Sequence, residues 1–169
     1  MGRHSARQLA LPGILTAVLL GGQVALAALP NVEIVSLLVI LYSLLLGRRV
    51  FLVVYAFALL EGFLYGFGLW WISYLYAWPL LAGLVLILGR RERPALFWAL
   101  VSGFFGLGFG ALCALPYLAA GGPAAALSYW LAGLGFDLIH CGGNFGMCLL
   151  LFRPLHRLLG ALLRRYNPS

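Results

Sequence analysis

Six stretches of the chain are almost unbroken in apolar residues, and the polar residues gather in the short segments between them. They cover 8–29, 34–47, 50–69, 72–88, 95–118 and 125–152. Most have about 20 residues, the length a helix needs to cross a hydrocarbon layer of about 30 Å. The pattern predicts an all-α membrane protein, a six-transmembrane-helix bundle forming one integral membrane domain over 1–169. Pro30-Asn31 ends the first stretch as a turn signal. Pro79 is a candidate kink in the fourth. The Gly/Pro-rich 119–123 segment reads as a turn, and 155–166 as an amphipathic tail. The second stretch is short. It crosses only if tilted, in a thinned bilayer, or with help from neighbours. Arg3 and Arg7 before the first apolar run imitate a signal peptide, but the run is long and more apolar segments follow at once, so it reads as a retained first span.

Composition strengthens this picture. Of 169 residues, 64% are hydrophobic and only 9% charged, whereas a soluble domain carries about a quarter charged residues. Charge then orients the bundle. There is no lysine, and the arginines sit at 3 and 7, at 48 and 49, at 90, 91 and 93, and at 153, 157, 164 and 165. With both termini inside (N-in/C-in), every arginine falls on the inner side and the outer loops hold none. Five spans, or the reverse orientation, would scatter arginines on both sides. This is the positive-inside pattern of a multi-pass protein of the cell (plasma) membrane, with both termini cytoplasmic. The net charge of +7 is therefore directed at the lipid bilayer and not at nucleic acid. The three cysteines, Cys113, Cys141 and Cys148, lie in apolar stretches without CxxC spacing and read as small packing residues.

Small residues recur every fourth position. Gly13, Ala17, Gly21 and Ala25 form a stripe on the first span, Gly62 and Gly66 on the third, and Gly106 and Gly110 on the fifth. In lipid, close backbone approach holds helices together, so such a stripe serves either internal packing or a partner membrane protein.

Polar residues inside a membrane are costly and need a reason. Glu92 lies in an arginine-rich inner loop; the other three carboxylates do not. Glu33 lies in the first outer loop, after Asn31. Glu61 lies about 16 Å up the third span and Asp137 about 18 Å down the sixth, at 1.5 Å per residue, which puts both near mid-membrane. Asp137, His140 and Asn144 share one helical face, as do Glu61 and Tyr65. The outer interface carries the run Trp70-Trp71-Ile72-Ser73-Tyr74-Leu75-Tyr76-Ala77-Trp78. Together these predict an outward-opening cavity with an acidic and amide floor and aromatic walls, under the 30–33 loop. The candidate ligand-binding residues are Asn31, Glu33, Glu61, Tyr65, Trp71, Tyr74, Trp78, Asp137, His140 and Asn144. Plainer roles exist for each part. The aromatics suit an interfacial belt, His140 can simply satisfy Asp137, Asn31 can be a turn residue, and Glu33 a solvated first-turn acid.

Enzyme signatures are missing: there is no GxSxG, HExxH or GxxxxGK[ST] motif. No metal-ligand set is recognisable around His140 and Cys141, and no cofactor is implied. The protein is expected not to be an enzyme.

The stretches Leu29-Pro30-Asn31-Val32-Glu33-Ile34-Val35-Ser36-Leu37-Leu38, Leu60-Glu61-Gly62-Phe63-Leu64-Tyr65-Gly66-Phe67-Gly68-Leu69-Trp70-Trp71 and Phe136-Asp137-Leu138-Ile139-His140-Cys141-Gly142-Gly143-Asn144 carry a resemblance. With the size, the six-span topology and the small-residue stripe, the chain resembles the substrate-binding membrane subunits (S components) of energy-coupling factor (ECF) transporters, as an uncharacterised branch. The resemblance covers essentially the whole chain. It implies the ligand-binding role in an ABC importer, with a transmembrane coupling subunit and two cytoplasmic ATPase subunits as partners, which alone hydrolyse ATP. It also implies that a first-helix stripe meets the coupling subunit; the matching positions here are Gly13, Ala17 and Gly21. The metal-importing branch uses a histidine just behind the initiator methionine. Here His4 lies on the arginine-rich side, which argues against a nickel or cobalt cargo.

The expected cargo is a vitamin or vitamin-like small molecule. Carboxylates and aromatic faces favour an amino-bearing heterocycle such as thiamine, its pyrimidine precursor or a deazapurine base. An anionic vitamin fits less well, because no arginine lies in the outer half. The alternative is a non-transporting membrane assembly or scaffold protein, which keeps the packing stripes and needs no cavity.

Overall fold

The computed structural model describes residues 6–29 and 32–166 and is all α, with no strand among the described residues. Five helices follow in order: α1 (Ala6–Leu26), α2 (Val35–Leu46), α3 (Val50–Tyr65), α4 (Leu69–Leu88) and α5 (Ala95–Tyr166). One 3-10 turn, Gly47–Arg49, joins α2 to α3.

α5 is one helix only in sequence. At Gly122 the backbone takes φ 78° and ψ −176°, a region open essentially to glycine alone, and the chain folds back. Pro123 starts the returning limb, where a missing N–H costs little. The paired residues prove the hairpin. Tyr117 stacks on Tyr129, the Gly110 amide donates to Asp137, and a Cβ on Gly103 would meet Phe145. The limbs 95–121 and 123–166 therefore lie antiparallel, and the structure contains six helical segments. The expected 119–123 turn shrinks to one residue, because a single glycine in this conformation reverses the chain without a loop. Likewise α3 stops at Tyr65, where Gly66 has φ 87°, and Leu69 to Trp71 already belong to α4. The stretches expected at 50–69 and 72–88 shift accordingly.

Cross-contacts give the segments alternating directions. Gln23 bonds Glu61 and Thr16 bonds the Val53 carbonyl, so α1 and α3 run parallel. Trp71 bonds the Ala58 carbonyl while Phe57 meets Trp78, so α3 and α4 are antiparallel. Ser36 meets Asn144 and Glu33 meets His140, so α2 runs with the returning limb. The arginine-bearing turns thereby collect at one end: one cavity there is lined by Arg90, Arg91, Arg93 and Arg153 together.

α2 is the centre of the bundle. Its residues from Val35 to Ser43 are all buried, walled by α4 and α5 and touched by α1 and α3. A helix apolar all round is one surrounded by protein. Only its last turn, Leu44–Leu46, is partly exposed, so the length of this helix is matched to its protein neighbours. The outer surface is the reverse. Phe63 is 71% exposed, Phe104 67% and Leu150 74%. Apolar exposure on this scale fits a helical membrane protein with lipid over its flanks. Val35–Tyr65 (α2, the 3-10 turn and α3 taken together), Leu69–Leu88 and Ala95–Tyr166 (both limbs together) are long and apolar enough to cross a bilayer, and Ala10–Leu26 is a shorter apolar helix.

The small-residue stripes divide into two kinds. On α3 and α5, Gly62, Gly106 and Gly110 serve internal packing: Gly62 receives Phe67 and Trp71, Gly106 the His140 carbonyl, and Gly110 the Asp137 carboxyl, while Gly66 falls beyond α3 with open space around it. On α1, Gly13, Ala17 and Gly21 are exposed, and a Cβ at either glycine would touch nothing.

Replacing Gly122 with valine forces a side chain into this backbone region and should cost about 1–3 kcal/mol. Thermal unfolding in detergent checks it. Gly133→Val, in the same limb with open space around its Cα, should leave the midpoint almost unmoved.

Candidate functional site

At the end away from the arginine cavity, α1, the 32–34 segment, α4 and both limbs of α5 enclose a cavity of about 220 Å³. Glu33, Tyr74, Trp78 and His140 line it, joined by Gln23 and Phe109. A second cavity of about 330 Å³ lies beside it, lined by Glu61, Tyr65 and Trp70. Both share Gln23, Ala27 and Tyr74, which form the partition between them.

The aromatic wall follows from helical spacing. Trp70, Tyr74 and Trp78 fall at i, i+4 and i+8 on one face of α4. Tyr74 packs edge-on to both Trp70 (5.2 Å) and Trp78 (5.5 Å). Phe109 from α5 closes the corner, 5.3 Å from Trp78 and 5.2 Å from His140. Trp78 is buried and its indole N–H has no hydrogen-bond partner.

The polar side is a connected network. Glu33 precedes α2 and its carboxylate accepts from the Ser36 amide at 3.0 Å and from the Ser36 hydroxyl, which satisfies one of the free N–H groups at the start of α2. His140 Nε2 lies 3.2 Å from Glu33 Oε1. One turn further along α5, Asn144 Nδ2 donates to Ser36 Oγ at 3.0 Å. Two side chains of the returning limb thus fasten the segment that enters α2. Burial alone would raise the Glu33 carboxyl. The hydrogen bond and charge of His140, with the two Ser36 donors, outweigh it and hold Glu33 below the usual carboxylate range. Across the partition, Gln23 Nε2 donates to Glu61 Oε2 at 2.8 Å, and Glu61 Oε1 is buried without a partner.

Of the residues singled out in the sequence, Glu33, Tyr74, Trp78 and His140 meet at the first cavity and Glu61 and Tyr65 at the second. Asn144 supports from below, bonded to Ser36 and not lining either cavity. Three expectations change. Asp137 is not beside Glu61 and lines neither cavity; it points between the limbs of α5, where Oδ1 accepts the Gly110 N–H at 3.0 Å. His140 does not serve Asp137 but turns to Glu33, because α2 brings a carboxylate within reach. Trp71 sits about 100° round α4 from Trp70, and its indole donates to the Ala58 carbonyl at 2.8 Å over Gly62, so it clamps the α3–α4 turn. Asn31 lies outside the described residues.

Comparison with known families, with curated proteins and with solved structures finds no match.

Gln23, Ser36 and Phe109 were not foreseen. An amide in an apolar span signals function on cost alone, and Gln23 carried that signal. It was masked by the glycine stripe around it. Ser36, three residues after Glu33, had the spacing of a helix-start pair. Phe109 had no polar signal at all.

The folded Glu33 carboxyl sits below its ordinary value of 4.5. Its tie is therefore fully present above that pH and is lost as pH falls through the lower folded value. Hydrogen exchange of the Ser36 amide, corrected for intrinsic rate, should stay slow above pH 4.5 and accelerate only below it.

Proposed function

We propose that the protein is the substrate-binding subunit of an ECF-type importer, capturing an amino-bearing heterocycle at the outer face of the cell membrane. The observation that carries this reading is the corner of Tyr74, Trp78 and Phe109 facing the Gln23–Glu61 pair, at the end of the bundle that bears no arginine. A planar ring stacks on the aromatic faces. A ring nitrogen accepts from the Trp78 indole in the first cavity, and the amino group reaches Glu61 Oε1 in the second once the Gln23 side chain of the partition swings aside; both protein atoms are buried and unpartnered. In a low-dielectric site such bonds are strong because the alternative is an unpaired polar group. Glu33 takes the role of fastening the entry segment to His140, which keeps the cavity mouth formed.

Six crossings with both ends inside are part of this assignment. The alternating directions of the six segments and the gathering of arginine-bearing turns at one end are what that topology requires. The exposed Gly13, Ala17 and Gly21 suit a partner helix, as the coupling subunit of such an importer would supply, with ATP hydrolysis left to two cytoplasmic ATPases. The protein itself would then carry no catalytic group.

Purified protein should bind thiamine, its pyrimidine precursor or a deazapurine base. Glu61→Gln should weaken that binding by about 1.5–3 kcal/mol, roughly ten- to a hundredfold. Asp137→Asn, away from the cavities, should leave affinity unchanged. Equal affinities in Glu61→Gln, Gln23→Ala and the parent would sink the assignment.

Topology has its own check. With the three native cysteines replaced by alanine, Ala28→Cys should react with an impermeant maleimide on intact cells, and Arg91→Cys only after permeabilisation.

A further inference from the structure

The arginine end holds a cavity larger than either ligand cavity, of about 490 Å³. The α5 hairpin creates it. By folding back at Gly122, the chain sets the start of one limb, Ala95 and Trp98, beside Phe152, Arg153 and His156 of the other. Trp98 and Phe152 stack at 20°, and Phe152 and His156 at 16°. The first two are buried, at 2% and 7% exposed. This gives the cavity an apolar ring floor.

Its rim is cationic. Arg90, Arg91, Arg93 and Arg153 stand there against the single carboxylate of Glu92. Among the described residues no arginine forms an ion pair, since the one salt bridge is His140–Glu33. Arg93 lies over the Phe97 ring at 4.9 Å; the other three guanidiniums are exposed at the rim with no acidic partner. Arginine forks match phosphate oxygens with paired N–H donors. A positively charged rim over an aromatic floor selects a ligand with both parts.

We propose that this cavity binds a phosphate ester bearing an apolar group, with its phosphate on Arg90, Arg91 and Arg153 and its apolar part on the Trp98–Phe152–His156 floor. Two sources share that chemistry: the headgroup of an anionic phospholipid and a soluble phosphate compound. The excess of guanidinium over carboxylate disfavours a zwitterionic headgroup, whose own cation meets the same field. The site lies at the opposite end from the ligand cavities and stands or falls apart from the importer reading.

The full chain, purified in neutral detergent, is titrated with short-chain phosphatidylglycerol, with the matching phosphatidylcholine and with phenyl phosphate, and bound molecules are counted by native mass spectrometry. The expected result is one saturable phosphatidylglycerol or phenyl phosphate per chain and little phosphatidylcholine. The pair Arg91→Gln with Arg153→Gln should weaken binding about tenfold or more. Removing the same charge at the same end but off the cavity, Arg48→Gln with Arg49→Gln, should change it by no more than about twofold. Phenyl phosphate that displaces the lipid identifies a soluble phosphate ester as the occupant; lipid that resists displacement identifies the headgroup. Equal losses in the two arginine pairs would reduce the site to diffuse surface charge and overturn the proposal, as would no saturable binding of either probe. Arg91→Lys with Arg153→Lys guards against misfolding: unaltered helicity with binding between the parent and the glutamine pair supports a built phosphate site, and binding no better than the glutamine pair's despite unaltered helicity overturns it.

Discussion

α2 is buried by protein along nearly its whole length, and α4 and α5 are placed by the need to cover it. Its residues Val35–Ser43 are buried in succession, so neighbours must wall it on all sides. α4 and α5 supply most of that wall. A central helix also needs its end secured. Where α2 begins, the free N–H of Ser36 is taken by Glu33, and Glu33 is in turn held by His140. The same contacts that finish the core helix therefore position two side chains at the cavity. Core and site share residues, which is why the polar network sits at the entry to α2 and not on a loop of its own.

The two ends of the bundle have opposite chemistry. One gathers unpaired guanidiniums over an aromatic floor. The other offers a carboxylate oxygen and an indole N–H, both buried and unpartnered, beside aromatic faces. Both ends depend on α5, whose returning limb carries His140 to one and Arg153 to the other. The α5 helix pair therefore links the two ends.

Much of this was legible in the sequence, for reasons that differ between residues. The helical segments were visible because apolar runs interrupted by arginine, glycine and proline leave few alternatives. Glu33, Glu61 and His140 stood out because polar groups in apolar runs are costly. The pairings were not legible. Asp137 and Glu61 share a depth, but depth says nothing about the angle round the bundle, and Asp137 went to Gly110 instead. Trp71 and Trp70 are neighbours in sequence, yet about 100° apart on the helix, and a shift of three residues in where α4 starts decides which one faces the cavity. The short second stretch looked like a weakness when judged against bilayer thickness. It is a helix buried along nearly its whole length, and that length is matched to its protein neighbours.

The single-residue turn at Gly122 also bears on how such a chain is made. Two long apolar limbs joined without a polar loop have nothing hydrophilic to drag across the hydrocarbon between them. They can enter a bilayer together, as one wedge. Beside the turn their contacts are close in sequence, as between Tyr117 and Tyr129, and such contacts carry the smallest loop-closure cost. Asp137, costly to carry alone into an apolar phase, meets the Gly110 N–H within the wedge itself, before any other helix is needed to receive it.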